Sequence, residues 1–270
     1  MGNTQWLTST KVTFGVGSTT GNSYRKSLHD TLTAAGHLVN FVGRKHNGNF
    51  ADNDVEATSG FVLSQIAEAA RAAAPQFLPN LVLIEAGTNN CNSGRSVSDA
   101  GANLTSLVDD LFRLSPGVTV VVATLLANKD AAQDGCRVDV NRQYANLAVG
   151  FAAQGKRLVL VDMRSADGPT TADLADSRHP NDRGYAKMAA VWNQGIVMAL
   201  SKGFVGQPVE NGIPLDGEGG TRNASFGGQS SVMGVAVMSG GMLLRVPGSM
   251  MSMMAVWAGL LVVLVFSGLL

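Results

Sequence analysis

Charge is scarce in this sequence: Asp, Glu, Lys and Arg make up only 15% of 270 residues, and the two signs cancel. No run of Lys or Arg occurs, which excludes the electrostatic footprint of a nucleic-acid-binding protein. Histidine is rarer still. His29, His37 and His46 lie far in sequence from His179 and lack ligand-like spacing, so no metal site is expected. Cysteine occurs only at Cys91 and Cys136, which permits one disulfide or two buried thiols. Each follows a predicted strand, at what would be one end of a parallel sheet, and this favours the disulfide. Met1 to Thr8 is polar and lacks the apolar core of a signal peptide, while Trp6 breaks the myristoylation pattern.

Glycine, by contrast, is abundant at 32 residues, as in a loop-rich extracellular domain or a chain with long linkers. Two N-glycosylation sequons, at Asn103 and Asn223, fit a secreted or cell-surface location. Met250 to Leu270 is almost wholly apolar and uncharged, and reads as a membrane-seeking segment with nothing basic after it. Small residues at Ser239-Gly240-Gly241 and a spacer from Met242 to Gly248 fit a removable GPI-attachment signal. A permanent tail helix and a misassigned end are the alternatives.

Between these ends, β-rich apolar runs alternate with amphipathic stretches. Strands are predicted at Val39 to Gly43, Leu81 to Glu85, Val118 to Leu125 and Leu158 to Asp162. Helices are predicted at Ser23 to Ala35, Val62 to Ala73, Ser98 to Leu114, Val138 to Gln154 and Asn181 to Leu200. This alternation implies βαβ units: a three-layer α/β/α sandwich of flavodoxin-like type around a parallel sheet. Four regions result: an atypical N-terminus at 1–11, one α/β domain at 12–202, a Gly/Ser-rich linker at 203–248 and the apolar tail at 249–270. No internal repeat is evident.

In open α/β sheets, functional groups gather outside the carboxyl ends of the strands. After the second strand comes Ala86-Gly87-Thr88-Asn89-Asn90-Cys91, where glycine allows a turn and asparagine can present an amide donor. An ordinary turn would look the same. Before the last helix stands Asp176-Ser177-Arg178-His179-Pro180-Asn181-Asp182. An Asp three residues ahead of a His can bind its Nδ1–H and leave Nε2 as a general base.

Together these segments resemble the SGNH (GDSL) hydrolase family, especially its fungal and bacterial carbohydrate esterases, over residues 12 to 200. Three of the family's four blocks are present in order. The resemblance implies that Gly60 and Asn89 form the oxyanion hole and that Asp176 and His179 are the acid and base. It further implies an ester hydrolase using Ser-His-Asp chemistry without metal or organic cofactor, monomeric, and deacetylating polysaccharide such as acetylated xylan. A glycan-binding relic and a lipid esterase or lysophospholipase are the alternatives.

The chain departs from the family at two places. Asn90 stands where Asp is usual. At the first block, aligning Thr13, Phe14 and Gly15 puts Lys11 at the nucleophilic serine, with Thr10 and Ser9 replacing Asp and Gly. A lysine there is a cation, and its acyl product would be an amide. Ser9 lies two residues away and Ser18 seven, so either could stand in for the missing serine only on a different loop. Leader, first strand and nucleophile motif are missing together, which points to a truncated or alternative start. Loss of that strand would expose its neighbours unless Lys11 to Gly15 and the residues before them fill the slot.

Overall fold

A computed structural model describes residues 14–94, 97–209 and 211–213, with the backbone of Thr8–Ser9 and Val265–Phe266. In chain order the strands are β1 (Thr8–Ser9), β2 (Lys45–His46), β3 (Asp54–Val55), β4 (Leu81–Ile84), β5 (Thr119–Ala123), β6 (Leu158–Val161) and β7 (Val265–Phe266). The helices are α1 (Arg25–Ala34), α2 (Leu63–Phe77), α3 (Thr88–Asn92), α4 (Ala100–Leu114), α5 (Ala131–Ala153) and α6 (Asp182–Ser201).

Three expected strands form the parallel centre of the sheet. β4 pairs with β5 through Leu83 opposite Val121, and β5 with β6 through Val122 opposite Leu160. Every residue of β4 and β5 is buried, as continuous apolar runs covered on both faces must be. α1 packs on α6, and α6 on β5 and β6; α2, α4 and α5 pack in series as a second helical set. The result is an α/β/α fold.

Local chemistry explains the helices. α2 buries Leu63, Ile66, Ala67, Ala70, Ala74 and Phe77 along one stripe. Asn181 caps α6 by accepting from Gly184 N at 3.0 Å, and Asp130 caps α5 by accepting from Gln133 N at 2.9 Å. On α6, Gly195 lies against the sheet: a Cβ there would sit 2.4 Å from Val161 Cγ1 and 2.9 Å from Val121 Cγ1. Gly195→Val is therefore expected to lower stability by about 3 kcal/mol, read as a shift in the urea midpoint at unchanged slope.

Several expectations are corrected. Val39 to Gly43 forms no strand beyond a single bridge at Val39, although Val39, Phe41 and Val42 are fully buried. Phe41 N is bound instead by both carboxylate oxygens of Asp52, at 2.9 and 2.8 Å. An unexpected antiparallel pair, β2 with β3, follows. α5 begins seven residues before Val138, at the Asp130 cap, and α2 continues through Pro75 to Phe77. The place beside β4 is taken by Val265–Phe266, parallel to Leu83 and Ile84, and Thr8–Ser9 pairs on its far side. The N-terminal segment thus does not fill that slot directly; an apolar β-branched and aromatic pair from the C-terminal stretch does, and β-propensity favours it there. Of the expected linker, residues 203–209 and 211–213 are described and lie against the domain, Asn80 Nδ2 donating to Gly206 O at 2.7 Å and Thr119 Oγ1 to Phe204 O at 2.8 Å. The rest of the linker, the GPI and tail readings and Asn223 otherwise lie outside the described residues. Among those residues, no helix is long and apolar enough to cross a membrane.

Candidate active site

The acid–base segment is a tight loop between β6 and α6, closed by a bridge between Leu174 and Pro180 and by Ala175 N donating to His179 O at 2.8 Å. Within it, His179 Nδ1 meets Asp176 Oδ2 at 2.5 Å. The other carboxylate oxygen of Asp176 accepts from Arg178 N and His179 N, both at 2.8 Å. His179 is buried to 4% side-chain exposure, whereas Asp176 is 51% exposed. Partial burial pushes the Asp176 carboxyl up, but the His179 ring and the two backbone N–H groups outweigh it and bring it down to about 2. The carboxylate is therefore ionised at neutral pH and fixes which imidazole nitrogen carries the proton. Lys129 N donates to Ser177 O at 2.9 Å, tying this loop to the one after β5.

Asn89 lies after β4, at the same carboxyl edge of the sheet, and is wholly buried. Its Nδ2 donates to Phe61 O at 2.8 Å, which sets it beside Gly60 and leaves a second amide hydrogen for a ligand. Gly60 has φ +89°, a region that favours glycine. The two candidate oxyanion donors are thus brought together. Asn90 Oδ1 accepts from Leu63 N at 3.1 Å at the start of α2, so asparagine supplies an acceptor oxygen there without a charge.

Lys11 lies outside the described residues. The chain emerging from it is held against the acid–base loop: a Cβ at Gly17 would be 2.4 Å from Pro180 O and 3.4 Å from His179 Cβ. Tyr185 Oη donates to Val16 O at 2.6 Å, and Asn47 Nδ2 donates to Phe14 O. Below it, fully buried Arg25 donates to Gly21 O, Asn47 O and Asn53 O. Ser18 Oγ bonds with Thr20 Oγ1, while its neighbour Thr19 donates to the Asp182 carboxylate at the head of α6, from N at 3.2 Å and from Oγ1 at 2.6 Å. Ser9, the other candidate, is described only in its backbone, as part of β1.

Cys91 and Cys136 form a disulfide with sulfurs 2.08 Å apart, linking α3 to α5. Neighbouring groups escape a reading by motif. Arg137 is fully buried and donates to Leu126 O at 3.1 Å, Ala127 O at 3.3 Å and Asn92 Oδ1 at 3.5 Å. Tyr144 Oη donates to Ala86 O at 2.7 Å. Glu85 is fully buried, and neither carboxylate oxygen has a hydrogen-bond partner among the described residues. Burial pushes its carboxyl up to about 8, with Arg137 pulling the other way. The sequence cue for these groups is the four-residue spacing of Cys136, Val140 and Tyr144, together with a carboxylate ending an apolar strand. Asn103 is exposed on α4. Among the described residues, no group of three or more His, Cys, Asp or Glu could hold a metal ion.

The chain superposes on solved structures of the same fold. A family 3 carbohydrate esterase from Clostridium thermocellum matches at TM-score 0.67 and 24% identity, covering 76% of this chain and 100% of that one. A family 3 carbohydrate esterase from Talaromyces cellulolyticus matches at TM-score 0.64 and 21% identity, over 74% and 99%. The psychrotrophic esterase EstA from Pseudoalteromonas sp. matches at 0.56 and 18%, over 74% and 99%. At these identities the likeness is one of fold. No curated protein sequence matches the chain. A sequence model does: that of the GDSL-like lipase/acylhydrolase family matches residues 12–187, well over half the chain. With the fold, the ordered segments around Gly60, Asn89 and His179, and this match in hand, the chain belongs to the GDSL-like lipase/acylhydrolase family.

Proposed function

We propose that the site is that of an ester hydrolase removing acetyl groups from polysaccharide, with its acid–base and oxyanion halves in place and its nucleophile position occupied by Lys11. The observation that carries this is the Asp176–His179 contact at 2.5 Å, its carboxylate locked by two backbone N–H groups. In such a site a serine at position 11 attacks the ester carbonyl and His179 Nε2 takes its proton. Asp176 stabilises the imidazolium, and Gly60 N–H and the second hydrogen of Asn89 Nδ2 hold the oxyanion. Collapse expels the sugar hydroxyl, which recovers the proton from His179. Water then releases acetate by the same route.

Lys11 itself favours a second reading for the chain as it stands: a cleft that binds acylated glycan without turnover. The acetyl preference rests on the fold-level likeness to carbohydrate esterases and is the point to test. With Lys11→Ser in place, acetate release from acetylated xylan is expected to exceed fatty-acid release from lysophosphatidylcholine by at least about 10-fold in kcat/KM, a difference of roughly 1.4 kcal/mol in transition-state binding. The reverse order would make the protein a lipid esterase.

A further inference from the structure

The turn that carries Asn89 cannot hold its own shape. α3 is five residues long, far below the length at which a helix is stable by itself. It starts from Gly87 at φ +110°, the residue type with the most backbone freedom. Yet a hydrogen-bond donor aimed at a developing charge acts fully only when placed within about 0.5 Å.

α5 supplies the missing constraint through three connections that bracket Asn89. Tyr144 Oη holds Ala86 O at 2.7 Å on one side. On the other, the disulfide holds Cys91 and Arg137 holds Asn92 Oδ1 at 3.5 Å. Cys136, Val140 and Tyr144 recur every four residues, so one stripe of a 23-residue helix presents them together. Contact is close enough that a Cβ on Gly87 would come within 2.8 Å of the Tyr144 hydroxyl. Arg137 is meanwhile anchored to Leu126 O and Ala127 O behind β5, so it cannot drift with the turn.

We propose that Tyr144, Arg137 and the Cys91–Cys136 disulfide are the positioning residues of the Asn89 amide, so that α5 sets where the oxyanion donor points. This rests on reading Asn89 as an oxyanion donor. In the full chain carrying Lys11→Ser, Tyr144→Phe and the pair Cys91→Ser with Cys136→Ser are each expected to lower kcat for p-nitrophenyl acetate roughly 10- to 100-fold, with KM within about twofold. Adding Asn89→Ala beneath them should abolish that loss, because the donor they position is gone. An equal loss with and without Asn89 overturns the proposal in favour of general loosening of the fold. Should the Lys11→Ser chain show no turnover, the hydrolase reading fails on its own account. The positioning claim is then decided on the chain as it stands by the 15N-resolved side-chain amide of Asn89. Displacement or broadening of that signal in Tyr144→Phe is expected, and an unchanged signal overturns it.

Discussion

Replacing Lys11 by serine is expected to raise p-nitrophenyl acetate hydrolysis at least about 10³-fold over the starting chain, since loss of a catalytic serine costs up to about 10⁶ in a well-studied protease. The physical reason lies in both halves of the cycle. An ordinary lysine is protonated at neutral pH, with a pKa near about 10.4, and cannot attack. Were it neutral, the acyl group would end as an amide, a poor leaving arrangement for water to reopen. A serine ester has neither problem. In the proposed site the Asp176 carboxyl, which burial pushes up but the His179 ring and two backbone N–H groups bring down to about 2, stays ionised at neutral pH. In the Lys11→Ser chain, His179→Ala should return the rate to that of the starting chain. Asp176→Asn should cost roughly 10²- to 10⁴-fold by favouring the wrong tautomer. A folded Lys11→Ser chain with no turnover would overturn the hydrolase reading.

Glu85→Gln is expected to raise thermal stability at pH 8.5 by roughly 10 °C and to leave it almost unchanged at pH 4.5. Burial pushes this carboxyl up to about 8, opposed only in part by Arg137. The folded chain therefore keeps a proton that the unfolded chain releases near 4.5. Between those values the unfolded state gains relative stability as pH rises, on the order of 5 kcal/mol in all at about 1.4 kcal/mol per unit. The Glu85 contribution is thus fully favourable below about pH 4.5 and lost on rising through 8. Glutamine does not titrate, so the difference between the two melting curves isolates the carboxyl from every other titrating group. Parallel curves from pH 4.5 to 8.5 would show that Glu85 is ionised and paired in the folded chain.

The buried strands β4, β5 and β6 were plain in the sequence because a strand covered on both faces has no choice but an apolar run. The contact of Asp176 with His179 was equally plain, since both residues are local to one loop and it needs no distant partner. Local reasoning failed where burial outran hydrogen bonding. Val39, Phe41 and Val42 look like a strand and are buried like one, yet Asp52 takes the Phe41 N–H that a ladder would use. It also placed the start of α5 seven residues late, because the polar first turns of that helix show no periodicity.

What the sequence alone determined is local: the α/β alternation, the turn at Gly87 and Asn89, and the placing of Asp176 and His179 on one loop. Only the tertiary structure decided which distant groups meet. Cys91 with Cys136, Tyr144 with Ala86, Arg137 with Asn92 and Val265–Phe266 beside β4 are separated by 45 or more residues in each case. Such pairings depend on how helices and strands pack around a shared core, and packing is a property of the assembled layers that no single segment encodes.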